Sequence, residues 1–150
     1  MNSKLVAGVV SVAAAVSVGV AAAPSAQASS MYGCSYPKVC LKDGSYQSGT
    51  VFWGGQDTIY QNLPSSGQNR ADSVVNTRND DSVWLLDTGS SPDRYICIPR
   101  NTAVNLGDYT LSGTNTWAND VDTVRIWSDG GTCSGTYHVV TGTVPDGWRG

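Results

Sequence analysis

The sequence predicts an all-β domain, and three observations lead to that prediction. All twelve acidic residues are aspartate and none is glutamate, so one of the good helix formers is missing. The 17 glycines and six prolines interrupt the chain often, and the segments between them are short and rich in β-branched and aromatic residues. No segment of ten or more residues has helical periodicity. Short strands at this spacing favour a sandwich or a barrel over alternating strands and helices.

Nine strands are predicted, and each of them is short. They end at turn-forming residues such as DGSYQSG, PSSG, RNDD and TGSSPD, which supply the backbone conformations that reverse a chain. The predicted strands are 38–42, 50–54, 57–63, 73–77, 82–87, 94–98, 108–113, 122–127 and 136–144.

Residues 1–28 have the pattern of a secretory signal peptide. Lys4 supplies a positive start, residues 5–23 are apolar, and AQA at 26–28 provides small residues before the cleavage point. The alternative is a membrane anchor, but no basic flank follows the apolar stretch. We therefore expect cleavage before Ser29, secretion, and a single extracellular domain over 29–150.

The charge of the expected mature chain limits its partners. With Lys4 removed, eight basic residues remain against twelve aspartates, a net charge of −4. The basic residues are scattered, which argues against a nucleic-acid-binding surface. No second apolar run approaches the length of a membrane span. We expect no nucleic-acid partner, no membrane association after cleavage, and a monomer.

Four cysteines in a small exported domain predict two disulfides. Three pairings are open. We favour Cys34 with Cys40, as a local clip before the first strand, and Cys97 with Cys133, closing a longer loop. A zinc site is the alternative use of four cysteines, but the chain has no CxxC pair.

A short motif occurs twice, fifty residues apart. NRADSVVN at 69–76 and NDVDTVRI at 119–126 share Asn, Asp, Ser or Thr, and Val at the same offsets. The repeat predicts two structural motifs of about fifty residues, the first over 34–80 and the second over 81–141, with a tail over 142–150. Chance recurrence of a short polar pattern remains the alternative.

The repeated polar residues have two interpretations. Asn and Asp before a strand often cap turns by accepting backbone N–H groups. Their oxygens could instead gather around calcium, which takes six to eight oxygen ligands. No other cofactor is expected. The candidate calcium ligands are Asn69, Asp72, Ser73, Asn119, Asp122 and Thr123.

These motifs resemble those of the βγ-crystallins. Tyr46 and Gly49 in DGSYQSG match an aromatic-x-x-Gly hairpin, and NRADSVV follows as the polar loop. The opening CSYPKVCLKDGSY is similar to the start of secreted actinobacterial proteins of the Streptomyces metalloprotease inhibitor family. The resemblance implies a Greek-key sandwich of two motifs that inhibits a secreted protease. Gln68 and Ala118 depart from the Asn or Asp that usually opens the family's calcium loops.

An inhibitor needs a rigid loop that fits a protease cleft. Within RYICIPR at 94–100, Cys97 would tether such a loop, Ile98 would be its apolar anchor, and Pro99 would stiffen it. The competing interpretation is an edge strand with a proline at its end.

An enzyme is not expected. His138 is the single histidine, and HExxH and GxSxG motifs are both missing. The second functional hypothesis is a non-inhibitory binding, antimicrobial or toxin-like module of the same fold, stabilised by calcium. Exposed tryptophans could serve such a module, with Trp53, Trp117 and Trp148 as candidates.

Overall fold

A computed structural model describes residues 29–145 and confirms the all-β prediction. Outside the strands, it has only two short 3₁₀ turns within these residues, Ser45–Gln47 and Leu106–Asp108. The signal-peptide prediction and Trp148 lie outside the described residues. No helix of the described part is long and apolar enough to cross a membrane. The strands are β1 (Val39–Lys42), β2 (Val51–Gly55), β3 (Tyr60–Asn62), β4 (Ser73–Asn76), β5 (Ser82–Asp87), β6 (Arg94–Ile98), β7 (Thr102–Asn105), β8 (Thr110–Ser112), β9 (Asn115–Thr116), β10 (Thr123–Trp127) and β11 (Val140–Thr143).

The strands differ from the predicted ones in several places, and β3 covers only part of the predicted strand 57–63. β7 and β9 were not predicted, because each is short and bounded by polar turn residues. The predicted strand 136–144 is shorter, since β11 begins only at Val140. His138 therefore lies in the connection before the strand, not within it.

The strands form two larger antiparallel sheets and one small hairpin. The first sheet has the order β2-β1-β4-β7, the second has the order β11-β6-β5-β10-β3, and β8 pairs with β9. β3 comes from the first half of the chain (34–80) but pairs with β10 in the second sheet. β7 comes from the second half (81–141) but pairs with β4 in the first. Each half therefore gives its third strand to the other half's sheet.

The repeated motif lies where the two halves meet. Asn69 and Asn119 both have positive φ, 52° and 61°, a conformation that asparagine tolerates better than most residues. The Asn69 N–H donates to the Val121 carbonyl at 3.0 Å, and the Asn119 N–H donates to the Ala71 carbonyl at 2.8 Å. Ala71 and Val121 are both fully buried. The two copies thus bind each other reciprocally, which gives the repeat a structural role.

The main core lies between the two larger sheets. Alternate residues of the strands point inward, as a half-buried sheet requires. Each fully buried aliphatic side chain contributes about 1.5–3 kcal/mol relative to an exposed one. The inward aliphatic residues include Val39, Leu41, Val74, Val104, Val83, Leu85, Ile96, Ile98, Val124 and Ile126.

Both predicted disulfides are present, with the favoured pairing. Cys34 joins Cys40 and Cys97 joins Cys133, each with 5.8 Å between the Cα atoms. The first ties the N-terminal segment to β1, and the second ties β6 to the connection between β10 and β11. The four sulfurs are all in disulfides, so the zinc alternative is wrong.

Asp43 organises the hairpin between β1 and β2. Its Oδ1 accepts the Thr50 N–H at 2.7 Å, and its Oδ2 accepts the Arg70 guanidinium at 2.8 Å. The Thr50 amide, followed by the Arg70 hydrogen bond, lowers the pKa of Asp43 from 3.8 to about 2. A carboxylate held this way stabilises the fold most where it is ionised in both the folded and the unfolded state.

We predict a pH-dependent effect of replacing Asp43. Because its pKa is lowered on folding, its contribution is complete above about pH 4 and is lost as the pH falls towards about 2. Asp43→Asn should therefore lower the Tm at pH 7, and the difference from wild type should shrink over that range. Thermal melts across this pH range measure it. Asp57→Asn, in the exposed loop that follows β2, is the control, and an equal Tm loss in both variants would contradict the assignment.

Candidate functional site

The segment predicted as an inhibitory loop is neither a loop nor an edge strand. Cys97 and Ile98 belong to β6, which pairs with β5 on one side and β11 on the other. Both residues are fully buried, and Pro99 after them is buried too. The prediction that Ile98 is an exposed anchor is wrong, because its side chain is more stable in the core between the sheets.

Cys97 instead forms a disulfide with Cys133, which lies in the exposed connection before the neighbouring strand β11. Residues 128–139, here called the disulfide loop, join β10 to β11, and Cys133 lies near the middle. The Cys133 N–H donates to the Thr136 carbonyl at 2.8 Å, and the Thr136 N–H donates back at 3.0 Å. Ser134 and Gly135 between them both have positive φ, as a type I′ turn requires. The tip of the loop is therefore a tight turn that begins at the buried disulfide.

Asp129 fixes the start of the disulfide loop. Its Oδ1 accepts the Ser82 N–H at 3.0 Å and the Gly131 N–H at 2.9 Å. Its Oδ2 accepts the Ser82 hydroxyl at 2.5 Å. The Asp129 carboxylate thus bonds the disulfide loop to the beginning of β5 and also to the turn at Gly131 within the loop. Charge-assisted hydrogen bonds of this kind are stronger than neutral ones.

Arg100 fixes the other side of the same loop. Its backbone N–H donates to the Gly131 carbonyl at 3.0 Å, and its Nη1 donates to the Asn79 carbonyl at 3.0 Å. Its Nη2 donates to the Tyr137 hydroxyl at 3.0 Å, and the guanidinium carbon lies 4.9 Å from the centroid of that ring. Tyr137 therefore has a defined orientation although its side chain is on the surface.

The tip of the disulfide loop is accessible to a partner. Residues 134–138 are all exposed, and Tyr137 is 58% exposed. Tyrosine offers a large amphipathic surface with few rotatable bonds, so little conformational entropy is lost when it is bound. A disulfide, a fixed carboxylate and a fixed guanidinium reduce that loss further. The loop can therefore bind a protein partner in a conformation that it already has.

The predicted calcium ligands are only partly brought together. The Asn119 amide donates to Asp72 Oδ1 at 3.0 Å, linking the two copies of the motif. Asp122 Oδ2 accepts the Thr88 N–H at 3.0 Å and its hydroxyl at 3.1 Å, which is the turn-capping use of an aspartate. The two hydroxyls are used internally as well. Ser73 donates to the Gly44 carbonyl at 2.6 Å, and Thr123 donates to Asn62 Oδ1 at 3.1 Å.

Asn69 lies at the rim of an acidic bowl that sequence reasoning missed. This cavity of about 400 Å³ is lined by Asp87, Asp120 and Asp122, with serine and asparagine side chains between them. Burial raises the pKa of Asp120, and the charges of Asp87 and Asp122 raise it further. Among residues 29–145, no three His, Cys, Asp or Glu side chains are close enough together to hold a metal ion. Asp87 and Asp120 could not be found by the repeat alone, because only Asp122 falls within the shared pattern.

The tryptophans predicted to bind a partner do not form a common surface within the described residues. Trp117 is 1% exposed and belongs to the core, so its proposed role in surface binding is wrong. Trp53 is half-buried and packs against the same core. A different aromatic set lies on the outer face of the second sheet, where Trp84 stacks on Tyr95 at 4.0 Å and meets Trp127 edge-on at 6.0 Å.

Comparison of the chain with known protein families, characterised proteins and solved structures found no match.

Proposed function

We propose that this protein is a secreted, non-enzymatic inhibitor of an extracellular peptidase, built as a βγ-crystallin-like Greek-key sandwich. A returning strand lies beside the first strand in each half, β4 beside β1 and β10 beside β5, as in a Greek key. The exchange of β3 and β7 between the sheets and the reciprocal contact of the two motif copies support a duplicated Greek key. The aromatic-x-x-Gly hairpin at Tyr46 agrees with the same family.

The observation that carries the inhibitor proposal is the exposed tip of the disulfide loop. A peptidase cleft binds a loop most tightly when the loop already has its bound conformation. The disulfide loop meets that requirement at both ends, through Asp129 and Arg100, and in its middle through Cys133. Tyr137 is the proposed anchor residue. This assignment replaces the segment around Ile98, which is buried.

Secretion fits the same proposal. Residues 1–28 have the pattern of a signal peptide, and disulfides persist in oxidising compartments outside the cell. The partner is then an extracellular peptidase, and the resemblance to the metalloprotease inhibitor family makes a metallopeptidase the first target to test. The inhibitor itself is proposed to act as a monomer.

The test is a titration of a thermolysin-type metallopeptidase with the purified, oxidised protein, with serine peptidases in parallel. We expect stoichiometric one-to-one inhibition of one class and its loss after reduction of the disulfides. The reduced protein is the matched control, because it has the same composition without the tether at Cys133. Digestion of the oxidised protein, or unchanged activity of every peptidase at micromolar concentration, would overturn the inhibitor proposal.

A second candidate is a calcium-stabilised binding or antimicrobial, toxin-like module of the same fold. The acidic bowl favours it, because burial and then the charges of Asp87 and Asp122 raise the pKa of Asp120, and a divalent cation would favour the ionised form of that carboxyl. Asp87, Asp120, Asp122 and Asn69 line the bowl, and the three carboxylates would have to move closer together for one ion to contact them all. Hard oxygen donors of this kind suit calcium.

This candidate predicts opposite effects of one substitution with and without calcium. Because the pKa of Asp120 is raised on folding, its ionised form destabilises the fold at neutral pH, and stability returns as the pH falls through the raised pKa. Asp120→Asn should raise stability at pH 7 by up to about 0.5 kcal/mol without calcium. Added calcium should raise the Tm of the wild type, and it should raise the Tm of Asp120→Asn by a much smaller amount. A wild-type Tm that calcium leaves unchanged would rule out this candidate, with Asp57→Asn as the charge-matched control.

A further inference from the structure

Trp117 has a buried hydrogen-bond donor that the protein does not satisfy. The residue follows β9, its backbone N–H donates to the Tyr109 carbonyl at 3.0 Å, and its side chain is 1% exposed. Within residues 29–145 its indole Nε1–H meets no acceptor. A buried donor without a partner costs about 1–3 kcal/mol, and buried tryptophan N–H groups usually have one. An acceptor from outside the protein would remove that cost.

A cavity lies next to this indole. It has a volume of about 190 Å³ and lies at the edge of the second sheet, beside the β8–β9 hairpin. Its lining comprises Trp117, Leu111, Arg94 and Tyr95, together with the β11 edge at Thr141, Gly142 and Thr143. Since one water occupies about 30 Å³ in the liquid, the space is larger than a single water needs.

Arg94 supplies the charge of this cavity. Its Nη1 donates to the Leu111 carbonyl at 2.9 Å, which fixes the guanidinium between β6 and β8. That bond uses one of five N–H donors, and no carboxylate of the described chain pairs with Arg94. Asp87 is opposite Arg94 in the sheet register, but its Oδ1 accepts the Gly89 N–H instead. The guanidinium therefore keeps donors for a ligand.

The side chains that face this cavity come from the inner side of the second sheet. Along β6, Arg94 shares the core-facing side with Ile96, whereas the Tyr95 ring lies on the outer face against Trp84. The register pairs Thr143 with Arg94 and Thr141 with Ile96, so both threonine side chains share the face of Arg94.

We propose that this cavity binds a short-chain carboxylate. The lining offers donors from Arg94, the Trp117 indole and hydroxyl groups, and it contains no aspartate or glutamate. The planar guanidinium fork matches a carboxylate, and Leu111 can cover a short hydrocarbon part. The site is separate from the disulfide loop, so the proposal does not depend on peptidase inhibition.

The test follows the indole N–H signal of Trp117 by NMR while sodium butyrate is added to the folded, oxidised protein. We expect a saturable shift of this signal with a dissociation constant of about 1 mM. The indole signals of the other tryptophans serve as internal controls. Sodium chloride and butylamine, titrated in parallel, should leave Trp117 unmoved, and inorganic phosphate distinguishes a general anion site from a carboxylate site.

Two variants complete the test. Arg94→Gln removes the charge while keeping a hydrogen-bonding side chain, and it should weaken butyrate binding at least about 10-fold. Thr143→Val, at the exposed β11 edge, keeps the shape of the side chain and tests the site without touching the core. No saturable shift in wild type, or equal affinity in both variants and wild type, would overturn the proposal and leave water as the only occupant. A response equal to that of phosphate or chloride would overturn it in favour of a general anion site.

Discussion

Replacing Cys97 and Cys133 by serine is expected to lower the free energy of unfolding by about 4 kcal/mol. The bond spans 36 residues of sequence, and a loop of that length restricts the unfolded chain substantially. The Cys34–Cys40 bond spans only 6 residues, so the same loop-entropy relation gives about 2 kcal/mol for its removal. Urea unfolding of the two double variants measures both values. The ratio of the two losses is the sharper prediction, because both bonds follow the same dependence on loop length.

The longer disulfide also holds the proposed binding loop. In the Cys97→Ser, Cys133→Ser variant, peptidase inhibition should fall even under conditions where the protein remains folded. The Cys34→Ser, Cys40→Ser variant is the matched control, since its bond lies at the N-terminal segment beside β1. A larger stability loss from removing the shorter bond, or equal loss of inhibition in both variants, would contradict this account.

Replacing Trp117 by alanine is expected to cost about 3–5 kcal/mol, comparable to the longer disulfide. Trp117 is among the largest fully buried side chains and belongs to the core cluster between the sheets. Its removal would enlarge the cavity that Trp117 lines beside the β8–β9 hairpin. Urea unfolding again gives the free energy.

Trp53→Ala is the control for Trp117. Trp53 is half-buried on edge strand β2, so the same chemical change removes less buried area and should cost about half as much or less. A smaller loss of unfolding free energy for Trp117→Ala than for Trp53→Ala would contradict the assignment of Trp117 to the core.

The strands were largely predictable, but their pairing was not. The β-branched segments between turn residues reveal where strands lie, because that pattern is local. The exchange of β3 and β7 depends on contacts between residues far apart in sequence, such as Arg125 opposite Tyr60. The repeat was visible because both copies need the same local features. These are an asparagine at positive φ, a small buried residue two places later, and an aspartate after it.

The proposed binding loop could have been found in part. Turn residues flank Cys133 on both sides, Gly130 and Gly131 before it and Ser134 and Gly135 after it, so an exposed turn near a disulfide is a reasonable inference. The fixing contacts of Asp129 and Arg100 have no sequence signal, since they reach to Ser82 and Tyr137 across the fold. Ile98 was misassigned because its alternating segment fits a central strand as well as an edge strand. Only the pairing with β11 decides between them.

The calcium hypothesis illustrates a second limit of sequence reasoning. Ser73 and Thr123 have the oxygens that calcium requires, but each hydroxyl already donates within the protein. The acidic bowl combines Asp87 from the end of β5 with Asp120 and Asp122 from the second motif. That combination depends on how the second motif packs against β5, so the motif alone could not predict it.

The most direct measurement is the inhibition constant of Tyr137→Ala against that of Tyr32→Ala. Both tyrosines are equally exposed, at 58% and 59%, but only Tyr137 lies on the disulfide loop. The account predicts that Tyr137→Ala weakens inhibition at least about 30-fold, as expected for an interface hot spot, and that Tyr32→Ala leaves it unchanged. Equal inhibition by Tyr137→Ala and wild type would contradict the claim that the disulfide loop is the binding site.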